Sequence, residues 1–192
     1  EAVKAVELAH TVGFSKISVD LIYGLPHREL DSWENTINKA LSLPIDHISC
    51  YALTVEPRTV LGSRVAKGIE VEAPDSLVET DYREICAATS SRGFDHYEVS
   101  NFGLPNFHSK HNSAYWSGAH YLGIGPSAHS FDGKSRRWNV SNNSKYMKSI
   151  ESGSLEAEEE DMSAANLFNE RVMTGLRTSA GIDTKNLFLI TE

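Results

Sequence analysis

Apolar and polar positions follow two different periods along this chain, and the period switches at regular intervals. Val3, Val6 and Leu8 recur among strong helix formers, which predicts a helix already under way at Glu1. Gly13 closes it. Residues 17–23 then form a β-rich run expected to be covered on both faces, stopped by Gly24-Leu-Pro26. Asp31-Ser-Trp-Glu34 has the form of a capping box with Leu30 as its staple. The helix it opens buries Trp33, Ile37, Ala40 and Leu41 at helical spacing. Residues 47–54 make a second strand, ended by Glu56-Pro57, and a looser stretch runs to Pro74. Asp75 starts a third helix with Leu77, Val78, Tyr82, Ile85 and Cys86 on one side; Gly93 closes it, and residues 94–99 form a third strand. Helices and strands that alternate in this way call for parallel strands joined by right-handed crossovers. Half of a barrel and one wing of an open sheet both fit the pattern.

Beyond Asn101 the character changes. Residues 102–138 are rich in Gly, Asn, His and Ser, with aromatics interleaved and no clean period. A helix is predicted over 141–152, carrying Tyr146, Met147 and Ile150. The acidic run 156–161 reads as a solvated linker. A last helix over 163–178 is expected to bury Leu167, Phe168, Val172 and Leu176. The run Leu187-Phe-Leu-Ile190 follows with no evident partner, and both ends read as interior to something longer.

Composition narrows the classes. A net charge of −8 over 192 residues argues against a phosphate-binding nucleic-acid surface. No apolar run approaches the roughly 18 residues that cross a bilayer. The two cysteines, Cys50 and Cys86, make no disulfide framework, and with no secretory signal a reducing, cytoplasmic setting is expected.

In parallel α/β folds, functional side chains gather where strands end. The strand ends offer Asp20 and Tyr23; Tyr51, Ala52, Thr54 and Glu56; and Tyr97, Glu98, Ser100 and Asn101. An aspartate in an apolar strand needs a partner to offset its desolvation, and either a ligand hydroxyl or amine or a neighbouring lysine serves for Asp20. Five of the eight histidines (His96, His108, His111, His120 and His129) fall near Tyr115, Trp116, Tyr121 and Trp138. Histidine among aromatics suits a flat macrocycle with an axial iron ligand. The close spacing of His108 and His111 also admits zinc, although no nearby cysteine or carboxylate completes a familiar pattern. Hydrogen bonding within an irregular layer is the plainer role. There is no glycine-rich phosphate loop and no Gly-x-Ser-x-Gly elbow; Gly123-Ile-Gly125 reads as backbone geometry.

Several segments occur together in order: Val19-Asp-Leu-Ile-Tyr-Gly-Leu-Pro26, Tyr51-Ala-Leu-Thr-Val-Glu-Pro57, Tyr97-Glu-Val-Ser-Asn-Phe102, His111-Asn-Ser-Ala-Tyr-Trp116 and Tyr121-Leu-Gly-Ile-Gly-Pro-Ser-Ala-His-Ser130, then Arg137-Trp-Asn139. The series resembles the oxygen-independent coproporphyrinogen oxidase family of radical S-adenosylmethionine (SAM) proteins. Its His-Asn-x-x-Tyr-Trp and Gly-Ile-Gly-x-x-Ala-His motifs look like the HemW branch, regarded as heme chaperones that pass heme to acceptor proteins.

The resemblance implies the second half of a partial βα barrel with an irregular extension over 1–138, and the start of a C-terminal helical domain over 139–192. It implies SAM contact at Asp20 and Ala52. It also implies heme binding at His111, the candidate ligand of the heme iron, with Asn112, Tyr115 and Trp116 shaping the site; His108, His120 and His129 are rivals. The expected partners are heme or porphyrin and heme-accepting proteins, and the alternative activity is the oxidative decarboxylation of coproporphyrinogen III. The family's Cys-x-x-x-Cys-x-x-Cys motif for a 4Fe-4S cluster and its glycine-rich SAM segment are absent from these 192 residues, so the chain by itself is expected to be catalytically inactive. His27-Arg-Glu29 also replaces the Gly-Gln-Thr-like turn common in the family.

Overall fold

A computed structural model describes residues 1–27, 29 and 32–188. The expected capping box at Asp31, its staple Leu30, Arg28, and residues 189–190 of the final apolar run lie outside the described residues. Contacts divide the chain into two compact units, Glu1–Ser109 and Lys110–Glu192.

The first unit runs α1 (Ala2–Thr11), β1 (Ser18–Tyr23), α2 (Ser32–Leu41), β2 (His47–Ala52), α3 (Val60–Ala66), α4 (Asp75–Ser91), β3 (Asp95–Glu98) and β4 (Asn101–Gly103). Trp33, Ile37, Ile45, Ile48, Cys50, Ile85 and Phe102 form its buried core, with Val19, Leu21 and Tyr23 packed against it. Burying an apolar side chain as fully as Ile48, Ile85 and Phe102 are buried contributes about 1.5–3 kcal/mol each. Strand β1 alternates: Val19, Leu21 and Tyr23 turn to the core, whereas Ser18, Asp20 and Ile22 are exposed. The expectation that this strand is covered on both faces is therefore corrected to one covered face.

The sheet order is β1-β2-β4-β3. Strands β1 and β2 are parallel, as alternation predicts. The third predicted strand departs from that pattern. It does not pair with β2, because the chain turns at Val99 and Ser100 and returns as β4, which lies antiparallel to both β2 and β3. Phe102 decides the placement: it sits opposite Ile48 and fills the core that β3 would otherwise have to reach. The sheet is thus mixed. Helix α3, inside the stretch read as loose, is capped by Thr59, whose hydroxyl accepts from Gly62 N at 3.0 Å.

The second unit runs α5 (Lys110–Trp116), β5 (His129–Phe131), β6 (Ser135–Asn139), α6 (Asn143–Glu151), β7 (Ala157–Asp161), α7 (Ala164–Gly175) and α8 (Thr184–Phe188). Strands β5, β6 and β7 form an antiparallel sheet in that order. The acidic run is not a linker but strand β7. Its backbone pairs with β6, setting Glu160 opposite Arg136 and Glu159 opposite Arg137, while all five side chains stay exposed. In α7, Leu167, Phe168 and Val172 are half-buried, but Leu176 falls beyond the helix and is 72% exposed, against expectation. No helix among the described residues is long and apolar enough to cross a membrane.

Candidate functional site

In the first unit the face of the sheet opposite the core is polar. Asp20 stands exposed on β1 beside Ser49 of β2, and Ser18 stands beside His47. The imidazole of His47 lies between two hydroxyls: Nδ1 is 2.8 Å from Ser18 Oγ and Nε2 is 2.7 Å from Tyr97 OH. Tyr97 OH also accepts from Ser109 N at 3.1 Å. A neutral ring satisfies this chain, with Tyr97 donating to Nε2 and Nδ1–H donating to Ser18. Burial pushes the His47 pKa below its ordinary value, against the pull of the Asp20 carboxylate. His108 stacks on Tyr97 at 4.2 Å and 13° and pairs with Asp95 at 3.1 Å.

Ala52, exposed at the end of β2, pairs with Tyr23 rather than with the Asp20 row. Asp20 and Ala52 therefore occupy register positions of opposite parity, and a ligand touching both would meet the side chain of one and the backbone edge of the other. A cavity of about 180 Å³ opens beyond the same strand ends, lined by Gly24, Leu53, Leu61, Val65 and Val78 among others.

In the second unit His111 and Tyr115 lie one turn apart on α5, ring centroids 4.9 Å apart at 86°. Tyr115 meets Tyr121 edge-on at 4.8 Å, and Tyr121 meets Phe131 at 6.1 Å, so an aromatic ladder runs from His111 to β5. The imidazole of His111 is exposed and makes no hydrogen bond among the described residues. Its rivals are more engaged: His129 lies against Trp138 at 5.9 Å and His120 lies edge-on to Phe131 at 6.3 Å. Asn112 is half-buried. Trp116 carries the Arg177 guanidinium 5.2 Å above its ring, and its buried Nε1 has no hydrogen-bond partner among the described residues. No group of three or more His, Cys, Asp or Glu side chains among the described residues is arranged to hold a metal ion.

Gly123-Ile-Gly125 is a clamped loop. Asn139 Nδ2 donates to Gly123 O at 3.3 Å and Gly125 O at 2.9 Å, and Gly125 N donates to Tyr146 OH at 3.0 Å. A Cβ at position 123 would collide with the His129 carbonyl. Held this way, the loop presents Leu122 and Ile124, the latter 82% exposed.

Two residues escaped the sequence-based site. Glu98 and Asn101 were noted only as strand-end polar groups, yet both are buried and hydrogen-bonded to each other. The signal available was two polar residues flanking a tight turn between two short strands.

No family model matches the chain. It is 36% identical over 180 residues to the heme chaperone HemW of Bacillus subtilis, covering 93% of this chain and 48% of that protein. It is likewise 36% identical over 188 residues to the heme chaperone HemW of Mycobacterium tuberculosis, covering 97% and 48%. The chain thus spans about half the length of these curated relatives. Among solved structures, coproporphyrinogen III oxidase (HemN) from Escherichia coli, a radical SAM enzyme, matches with a TM-score of 0.76 and 18% identity over 98% of this chain and 46% of that one. That match shows a shared fold. Over nearly its whole length, then, the chain is similar to proteins named heme chaperone HemW, and it shares the fold of HemN, a radical SAM enzyme.

Proposed function

We propose that this protein binds heme and acts as a heme chaperone, with His111 as the axial ligand of the heme iron. The observation that carries it is the 36% identity to proteins named heme chaperone HemW over nearly all of the chain. The chemistry of the site supports it. His111 offers an imidazole free of hydrogen bonds among the described residues, and Tyr115 and the ladder behind it offer the aromatic surface a flat macrocycle packs against. Asn112 and Trp116 complete the set.

In the same proposal the first unit is part of a partial barrel that takes SAM on the polar face opposite its core, with Asp20 accepting from ligand donors and Ala52 leaving room at the strand end. A 4Fe-4S cluster, which would supply electrons, is not held by these residues. Cluster ligands are thiolates, and burial pushes the Cys50 thiol up to about 12. The expected setting is cytoplasmic, and the expected partners are proteins that accept heme.

A hemin titration followed by visible absorption tests the heme site. The chain should give a saturable Soret shift that His111→Ala loses. Equal, weak binding by both would remove His111 as the ligand.

A further inference from the structure

One polar residue from each strand of the first unit falls on a single line across the sheet. Asp20 pairs with Ser49, Ser49 with Asn101, and Asn101 with Glu98. At about 4.8 Å between neighbouring strands, the line runs about 14 Å from Asp20 to Glu98. It lies on the face opposite Ile48 and Phe102, which belong to the core, and Val19, which packs against it.

The two ends differ. Asp20 is exposed, whereas Glu98 and Asn101 are only 2% and 3% exposed. Glu98 Oε1 accepts from Ser100 N at 3.0 Å and from Asn101 Nδ2. Glu98 Oε2 and Asn101 Oδ1 have no hydrogen-bond partner among the described residues. A bulge between His96 and Glu98 is what brings Glu98 opposite Asn101. Buried acceptors left without donors cost stability, and folded proteins retain them where a ligand, water or ion supplies the donor.

Charge narrows the ligand. Two carboxylates end the line, and neither it nor the neighbouring line Ser18–His47–Gly103–Asp95 contains a lysine or arginine. His47 is the one basic group there, and burial lowers its pKa from the ordinary value. The face therefore offers acceptors under a negative field, and its complement is a cation bearing N–H or O–H groups. Because both orphan oxygens are buried, the group that meets them is small: an ammonium, a hydroxyl or a single N–H.

We propose that Glu98 and Asn101 are a second anchor for the ligand site that begins at Asp20, their free oxygens accepting from a donor group of a cationic ligand laid across the sheet. The proposal rests on Asp20 as a SAM contact. SAM, a sulfonium with hydroxyl and amino groups, has the required chemistry and is the probe.

Equilibrium dialysis of labelled SAM would compare the chain with Asp20→Asn, Glu98→Gln and Asn101→Ala, with thermal unfolding of each variant alone. Glu98→Gln should bind roughly tenfold more weakly while melting no lower than the parent. If Asp20→Asn weakens binding but Glu98→Gln binds as the parent does, the orphan oxygens hold only an ordered water and the second anchor is overturned, with the Asp20 site intact. A Glu98→Gln variant whose lost binding follows a lowered melting temperature would make the pair purely structural, which also overturns it. If the parent chain does not bind SAM, or Asp20→Asn binds equally well, the Asp20 site fails and takes the second anchor with it.

Discussion

The carboxylate of Asp81, fully buried on α4, accepts a hydrogen bond from the backbone N–H of Gly24 at 3.1 Å across 57 residues of sequence. The same residue's carbonyl accepts from Trp33 Nε1 at 2.9 Å. One residue thus ties α2, α4 and the exit of β1 together. Gly24 is needed there on two counts: its φ is +70°, and a Cβ would lie 3.1 Å from a Val78 methyl. Asp81→Ala should lower the unfolding free energy by about 1–3 kcal/mol, since it strands a buried N–H. Urea denaturation checks this; unchanged stability would show that the bond supports nothing.

His47 predicts a pH dependence. Burial, helped by His108, lowers its pKa from 6.5, and Asp20 opposes the shift. The unfolded chain therefore takes up this proton at a higher pH than the folded one does. The contribution is fully present above about pH 6.5 and is lost as pH falls through the folded value. Urea midpoints should drop between about pH 7.5 and about pH 5.5, with one site supplying at most about 1.4 kcal/mol per pH unit. His47→Gln should flatten that part of the profile. An identical slope in the variant would assign the effect to other groups.

The two cysteines should differ in reactivity. Burial pushes the Cys50 thiol up to about 12, so at pH 8 roughly one molecule in ten thousand carries the thiolate. Cys86 is also raised by burial, but a hydrogen bond from Tyr82 works against the shift, and it is only half-buried. Iodoacetamide should label Cys86 slowly in the native protein and Cys50 only after denaturant is added. Native labelling of both at one rate would contradict the packing of β2.

Asn139 should be hard to replace. Its amide holds the carbonyls of Gly123 and Gly125 together, and the residue is buried. Asn139→Ala should cost about 1–3 kcal/mol and loosen the loop that carries Leu122 and Ile124. Hydrogen exchange at the Gly123 and Gly125 amides, which donate to Ser130 Oγ and Tyr146 OH, reads the loosening directly. Protection equal to the parent's would show that the loop holds without the clamp.

What the sequence disclosed follows from how each element is stabilised. Helices α2 and α4 bury one periodic face and strand β1 turns alternate residues to the core, and period is visible in a sequence. Strand β7 has no buried face; only its backbone pairs, so Glu158, Glu159 and Glu160 look the same as a solvated tail. The β3–β4 hairpin was hidden for another reason: residues 94–99 read as a strand and residues from 102 on as irregular, until Phe102, beyond the turn, is seen to fill the core. At the sites, His111 and Tyr115 were singled out by motif alone, because the short helix α5 that sets them one turn apart lies in a stretch without a clean period. Glu98 and Asn101 were not, because their meaning depends on a bulge and on a register spanning four strands.

The hairpin also sets an order of assembly. β3 and β4 meet across a two-residue turn and can form within microseconds, whereas His47 and Tyr97, which join β2 to the hairpin, are 50 residues apart. Until the hairpin docks, β2 has one unpaired edge, and its Ile48 and Cys50 lack the cover that Phe102 provides. During synthesis that edge stays open from the emergence of Ala52 until Gly103 has left the ribosome. During that interval the open edge exposes a nascent chain of this sequence to strand-to-strand aggregation.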